Sequence, residues 1–327
     1  MQGVLHGKDA QKRLWRFIVM GIIKISNGNM VSNKQELKKI LKIKTEGEFE
    51  VKRMLEITTV VGCSNMCNFC PQDAFLKAYK NKERLLSYEN FEKVIENVPK
   101  DVLIRFSGFS EPFLNHDAVK MIKLANRKGF RVDLFTTIVG LNENLINELS
   151  ECNLEGITLH VPDNKGNTHI IHAGGKDYAK NLELFLQKMN VTHIMSMNEN
   201  MFENNGRAGL VTKIKRKTGP FRCFDNKLKY PQFVMIPNCD VALCCMDFGI
   251  KHNLGNLLVS TFDEIENSKR YKTIKTEQNK FGVHNTLCGE CSLAEPLLKN
   301  KIRLGIMKIL GLGLRIHGQN LKGRSDK

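Results

Sequence analysis

The stretch that decides the reading is MLEITTVVGCSNMCNFC, from Met54 to Cys70. Its first eight residues are apolar and β-branched and predict a strand. That strand runs straight into a loop carrying three thiols, Cys63, Cys67 and Cys70. Zinc knuckles pair a C-x2-C with a distant second pair, whereas this C-x3-C-x2-C triplet supplies three ligands from one loop and leaves a fourth position open. Three ligands suit a four-iron cubane with one iron free of protein, and such an iron can bind a small molecule. The cluster is then a reaction centre, with structural zinc as the competing reading.

Working outward, strands alternate with helices. Ser87 caps an apolar-periodic helix from Tyr88 to Val98, and VLIRFS (Val102 to Ser107) is a second strand. A helix from Asp117 to Lys128 stops at Gly129, and Arg131 to Thr136 is a third strand. Asn142 to Cys152 is helical, Gly156 to Val161 is a fourth strand, Lys176 to Met189 a helix, and Val191 to Met197 a fifth strand. This order implies an α/β fold with a parallel sheet, open or closed into a partial barrel, whose loops at the C-terminal strand ends carry function. The cysteine loop lies at such an end.

The triplet with Phe69 in its aromatic position resembles the radical S-adenosylmethionine (SAM) enzymes, whose motif is C-x3-C-x-aromatic-C. The resemblance implies a partial (β/α)6 barrel and a [4Fe-4S] cluster on Cys63, Cys67 and Cys70 that binds SAM. After the second strand, Gly108, Glu111 and Pro112 match the family's Gly-Gly-Glu-Pro segment, which holds the amino group of SAM; Phe109 and Ser110 stand where small glycines are common. Thr137 falls in the place of the family's Thr-Asn-Gly turn. His160 and Asp163 lie where related enzymes contact ribose and substrate, and are candidate proton acceptors or hydroxyl ligands. Arg207, in an Arg-Ala-Gly sequence, is a candidate contact for an anion or the SAM carboxylate.

Nine of the ten cysteines fall into two groups, and the second begins at Cys223. Cys223, Cys244, Cys288 and Cys291, with Leu254-Gly255-Asn256 between, resemble the SPASM and shorter twitch extensions of the same superfamily, which hold auxiliary clusters. No cysteine follows Cys291, so one auxiliary [4Fe-4S] cluster is expected in a small cysteine-rich α+β domain. Cys239 stands where the SPASM pattern has a glycine, which leaves Cys239 and Cys245 as substitutes for Cys244. A zinc ribbon is the alternative. Cys152 reads as an inert thiol.

The resulting divisions are a basic extension (1–53), the barrel (54–210), the auxiliary-cluster domain (211–295) and a basic tail (296–327). Of the net charge of +16 on 327 residues, residues 1–54 and 299–327 carry +7 each, leaving +2 between them. A nucleic-acid enzyme spreads its charge along a groove, so a nucleic-acid substrate is not expected. Phe17 to Ile23 is too short to span a membrane and no secretory cleavage site is evident, which places the chain in the cytoplasm. Ile302 to Ile316 predicts a basic amphipathic helix suited to peripheral membrane contact or docking.

The resemblance implies reductive cleavage of SAM to methionine and a 5′-deoxyadenosyl radical, hydrogen abstraction from substrate, and a flavodoxin- or ferredoxin-type reductant. An auxiliary cluster with four protein ligands has no iron free for substrate, which favours a role as electron acceptor in a net oxidation. The substrate expected is a carbohydrate-like small molecule or glycan. Peptide or protein maturation is the alternative within the class, and a non-catalytic zinc-binding module the alternative outside it.

Overall fold

A computed structural model describes residues 53–161, 168–169, 176–196, 206–223, 230–297, 315–316 and 319–320. Residues 1–52 of the basic extension, Asp163 and most of the tail lie outside these. Of the helix expected from Ile302 to Ile316, Arg315–Ile316 is described, and it is a strand paired with Gln319–Asn320.

Strands β1 (Met54–Ile57), β3 (Leu103–Phe106), β4 (Val132–Thr136), β5 (Gly156–Val161) and β7 (His193–Ser196) lie side by side, all parallel. Between them come helices α1 (Gln72–Ala78), α2 (Tyr88–Glu96), α3 (Ala118–Arg127), α4 (Glu143–Ser150) and α5 (Lys176–Lys188). Two short strands, β2 (Met66–Cys67) and β6 (Thr168–His169), pair with each other beside the cysteine loop. Local chemistry sets the helix starts. Ser87 accepts from Asn90 N and Asn142 from Leu145 N, each satisfying a backbone donor that the first turn leaves free. Gly129, at φ 81°, ends α3 as the sequence predicts.

The sheet does not stop with the five barrel strands. β9 (Gln232–Met235) pairs parallel to β1 on its free edge, and β10 (Asp240–Ala242) and β11 (Asn253–Asn256) follow antiparallel, giving the order β11-β10-β9-β1-β3-β4-β5-β7. The sixth parallel strand therefore comes from beyond residue 211, and the auxiliary region is hydrogen-bonded into the barrel sheet. Arg53, just before β1, adds ion pairs to Asp101 and to Asp263 and Glu266 of α6 (Phe262–Asn267). Thr261 and Glu264 form a reciprocal capping box at the start of α6; α7 (Lys269–Glu277) follows. β8 (Phe221–Cys223) pairs antiparallel with β12 (Ala294–Pro296).

The parallel strands alternate. Leu55, Ile57, Ile104, Phe106, Val132, Leu134, Ile157 and Leu159 are buried in one core with Phe91, Ile122, Ile146 and Leu182 of the covering helices. On the opposite face the register sets Glu56 beside Arg105, and Arg105 beside Asp133. Parallel strands covered on both sides are apolar throughout, so a polar alternate face marks a cavity inside the curve of the sheet.

Candidate active site

That cavity has a volume of about 300 Å³, and its wall includes Cys63, Cys67, Phe69, Cys70, Gly108, Glu111, Thr137, His160 and Arg207. Every candidate of the first site that falls among the described residues therefore faces one chamber. The three cysteines hang from the loop after β1, where Cys70 N donates to Cys67 O at 3.0 Å. Burial pushes the Cys63 thiol up to about 11, against backbone donors from Asn65 and Glu111, and it raises Cys67 and Cys70 as well. Such a setting holds thiolates only against a compensating cation, as bound iron provides. Gln72 Nε2 donates to Cys70 Sγ at 3.3 Å.

Gly108 sits at φ 79°, and a Cβ there would lie 2.2 Å from Thr58 Oγ1, so only glycine lets this turn close over β1. Thr58 Oγ1 accepts from Phe109 N at 3.1 Å. Phe109 replaces a small residue without opening the turn because its ring is buried against Phe75 and Phe248, with centroids 5.0 and 4.5 Å away. Glu111, 4% exposed, accepts from Thr136 Oγ1, Thr137 N and Thr137 Oγ1 at 2.6 Å each and from Phe113 N at 3.4 Å. Burial raises its pKa, opposed by those donors. Thr137 thus orients Glu111 as well as facing the chamber, and its carbonyl is anchored by Tyr178 OH at 2.9 Å.

Arg207 lies in a left-handed turn (φ 46°) and donates from NH1 to Cys245 O at 3.1 Å, with its guanidinium 5.1 Å from the centre of the Phe248 ring. Deeper in the barrel, Arg105 donates twice to Asp133 Oδ2 at 2.9 and 2.6 Å and stacks on Phe135, 4.3 Å from its centre. Glu56, 6% exposed, accepts from Ser107 Oγ at 3.0 Å. His160 meets Phe135 edge-on at 5.7 Å. Burial and then the Arg207 cation bring its pKa down to about 4, so the ring is neutral near pH 7. A base that weak suits hydrogen bonding to a hydroxyl better than proton abstraction. Glu56, Arg105, Asn65 and Gln72 were not singled out in the sequence; for the first two the signal is a charged residue in the middle of an apolar strand.

A second cavity, of about 20 Å³, is lined by Cys223, Cys244, Cys288 and Cys291 among apolar side chains. Pairing of β8 with β12 brings Cys223 opposite Ala294, three residues past Cys291. Cys288 sits in a 3-10 turn (Leu287–Glu290) whose following residue is Cys291, and Cys244 follows β10. Burial first, then neighbouring thiols, pushes Cys288 up to about 12; burial is also the main cause of the rise of Cys291 to about 11. Cys245 faces the first chamber, and Cys239 lines neither. Cys239 is fully buried at φ 66°, so it fills the left-handed turn that a glycine would otherwise take. Cys152 lies apart from both chambers, its thiol raised to about 11 chiefly by burial.

The donor sets fit the groups that a cluster chemistry needs. Among the described residues no three His, Cys, Asp or Glu side chains gather tightly enough for one metal ion. Three thiols on one loop and four around one apolar cavity are donor sets that iron–sulfur clusters take. In the large chamber, buried Asn65 Oδ1, Gln72 Oε1, Ser110 Oγ and Arg207 Nε have no hydrogen-bond partner. Acceptors and donors left open together suit a ligand with an amino and a carboxylate group.

Residues 57–201 match the Radical SAM superfamily, and residues 223–292 match SPASM, an iron–sulfur cluster-binding domain. The chain belongs to the radical SAM superfamily and carries a C-terminal SPASM domain. Members use a [4Fe-4S] cluster and SAM, and the SPASM domain brings auxiliary iron–sulfur binding. Among solved structures, this radical SAM protein is similar in fold to BtrN in complex with AdoMet and 2-DOIA, at a TM-score of 0.52 and 16% identity over 73% of this chain and 90% of BtrN. Native anSMEcpe with bound AdoMet matches at 0.47 and 14%, over 69% of this chain and 84% of that one. Streptococcus suis SuiB bound to precursor peptide SuiA matches at 0.43 and 14%, over 73% and 69%. Among the described residues no helix is long and apolar enough to cross a membrane.

Proposed function

We propose that this radical SAM protein is a dehydrogenase of a carbohydrate-like small molecule. Cys63, Cys67 and Cys70 would hold the cluster that works on SAM, and Cys223, Cys244, Cys288 and Cys291 a single auxiliary [4Fe-4S] cluster. When bound, these groups would supply reductive cleavage of SAM, a 5′-deoxyadenosyl radical that takes hydrogen from substrate, and an acceptor for the electron that oxidation releases, the hydroxyl proton passing to water.

The observation that carries the reading is the division of labour between Cys244 and Cys245. One peptide unit separates the wall of the four-cysteine chamber from the wall of the reaction chamber, so an electron leaving the substrate has a short path outward. The chain's own residues then do the rest. Ser110 and Arg207 bind and orient the amino-acid end of SAM beside the negative field of Glu111, while Phe109 and Phe248 shield that end from water. Glu56, Arg105, Ser107 and neutral His160 offer the barrel end of the chamber hydrogen-bond partners for hydroxyl groups.

The test is turnover of reconstituted protein, without oxygen, on polyols, cyclitols and amino sugars deuterated at their carbinol carbons. Deuterium in 5′-deoxyadenosine together with a product two hydrogens lighter supports the proposal. Product at the oxidation state of the substrate, or deuterium transfer from peptides alone, contradicts it.

A further inference from the structure

Glu111 is the family's candidate partner for the amino group of SAM, but its hydrogen-bonding capacity is already used. A carboxylate offers about four acceptor positions. Here Oε1 takes Thr136 Oγ1 and Phe113 N, and Oε2 takes Thr137 N and Thr137 Oγ1. An amino group in this corner therefore meets negative charge but needs another acceptor.

Asn65, between Cys63 and Cys67, provides one. It is 6% exposed and its Nδ2 lies 2.9 Å from Thr137 Oγ1. The Thr137 hydroxyl has one proton, which goes to Glu111 Oε2 at 2.6 Å, the oxygen that also accepts from Thr137 N. Toward Asn65 that hydroxyl can therefore only accept, which fixes the amide with nitrogen toward Thr137 and oxygen away from it. That oxygen is buried, has no partner, and belongs to a residue lining the chamber. Leaving it unmet costs free energy that a ligand donor would recover.

We infer that Asn65 Oδ1 accepts a hydrogen bond from the amino group of SAM, with Thr137 as the residue that orients the amide and Glu111 as the source of negative field. This rests on assignment of the triplet as the SAM-binding cluster, and it holds whatever the substrate is. A loop that binds iron through its thiols would then also read the cofactor through the residue between them.

The experiment is equilibrium binding of SAM and of its deamino analogue to reconstituted wild type, Asn65→Ala and Thr137→Val, each with iron counted. Asn65→Ala is expected to weaken SAM about 10–100-fold and to leave the affinity of the deamino analogue unchanged. Thr137→Val keeps Asn65 between the cysteines but frees its amide to turn, and should show the same selective loss, which covers the case in which Asn65→Ala fails to assemble its cluster. Equal losses for both ligands, or no loss for SAM, would overturn the inference. Wild type without iron or without SAM affinity would instead sink the cluster assignment beneath it.

Discussion

Cys244 and Cys245 are consecutive in the chain and line different chambers: Cys244 lines that of Cys223, Cys288 and Cys291, and Cys245 that of Cys67, Cys70 and Arg207. After β10 the chain runs between the two sites, so the pair forms part of the wall they share. Arg207, which donates to Cys245 O, ties its own left-handed turn to that same wall.

The pair therefore separates by metal content. Cys244→Ala should lose about four irons per monomer, while Cys245→Ala and Cys239→Ala keep the wild-type number. Iron and sulfide analysis of the three variants checks this, and the reverse pattern for Cys244 and Cys245 contradicts the assignment.

Gly108 sets the turn that carries Glu111. A methyl group there meets Thr58 Oγ1 at 2.2 Å and the Thr58 backbone at 3.2 Å, at a φ that alanine resists. Gly108→Ala should cost about 2–4 kcal/mol from backbone strain and overpacking together, seen as a Tm lower by several degrees. An unchanged melting curve would show that the turn has slack.

His160 makes a prediction with a definite sign. Its folded-state pKa of about 4 lies below the ordinary 6.5, mainly because of burial and then Arg207. Between those values the unfolded chain binds a proton that the folded chain does not, so this contribution to stability is present above pH 6.5 and is lost as pH falls toward 4. His160→Gln should flatten the fall of Tm between pH 7 and 5. The His160 ring resonance in wild type should not titrate between pH 8 and 5.5; a midpoint near 6.5 would mean that the ring is open to water.

Much of this was legible because its chemistry is local. The cysteine spacing, the caps at Ser87 and Asn142, and the stop at Gly129 each depend on residues a few positions apart. The addition of β9 to the edge of β1 was not legible, because it joins residues nearly 180 positions apart and no local pattern records strand order. Cys244 lines the four-cysteine cavity and Cys245 the larger chamber, a difference between adjacent residues that no spacing records. Phe109 looked like a departure from a glycine-rich motif until Phe75 and Phe248 appeared around its ring. Glu56 and Arg105 did leave a trace, as charges inside MLEITT and VLIRFS; in a parallel strand such charges mark the face turned to a ligand rather than to helices.

The most direct measurement is iron per monomer, with SAM cleavage under reducing conditions, in protein purified without oxygen as wild type and as the Cys63/Cys67/Cys70→Ala triple variant. The two-cluster account predicts about eight irons in the wild type and about four in the variant, with cleavage abolished in the variant. Zinc in place of iron, or cleavage that survives loss of the triplet, would contradict it.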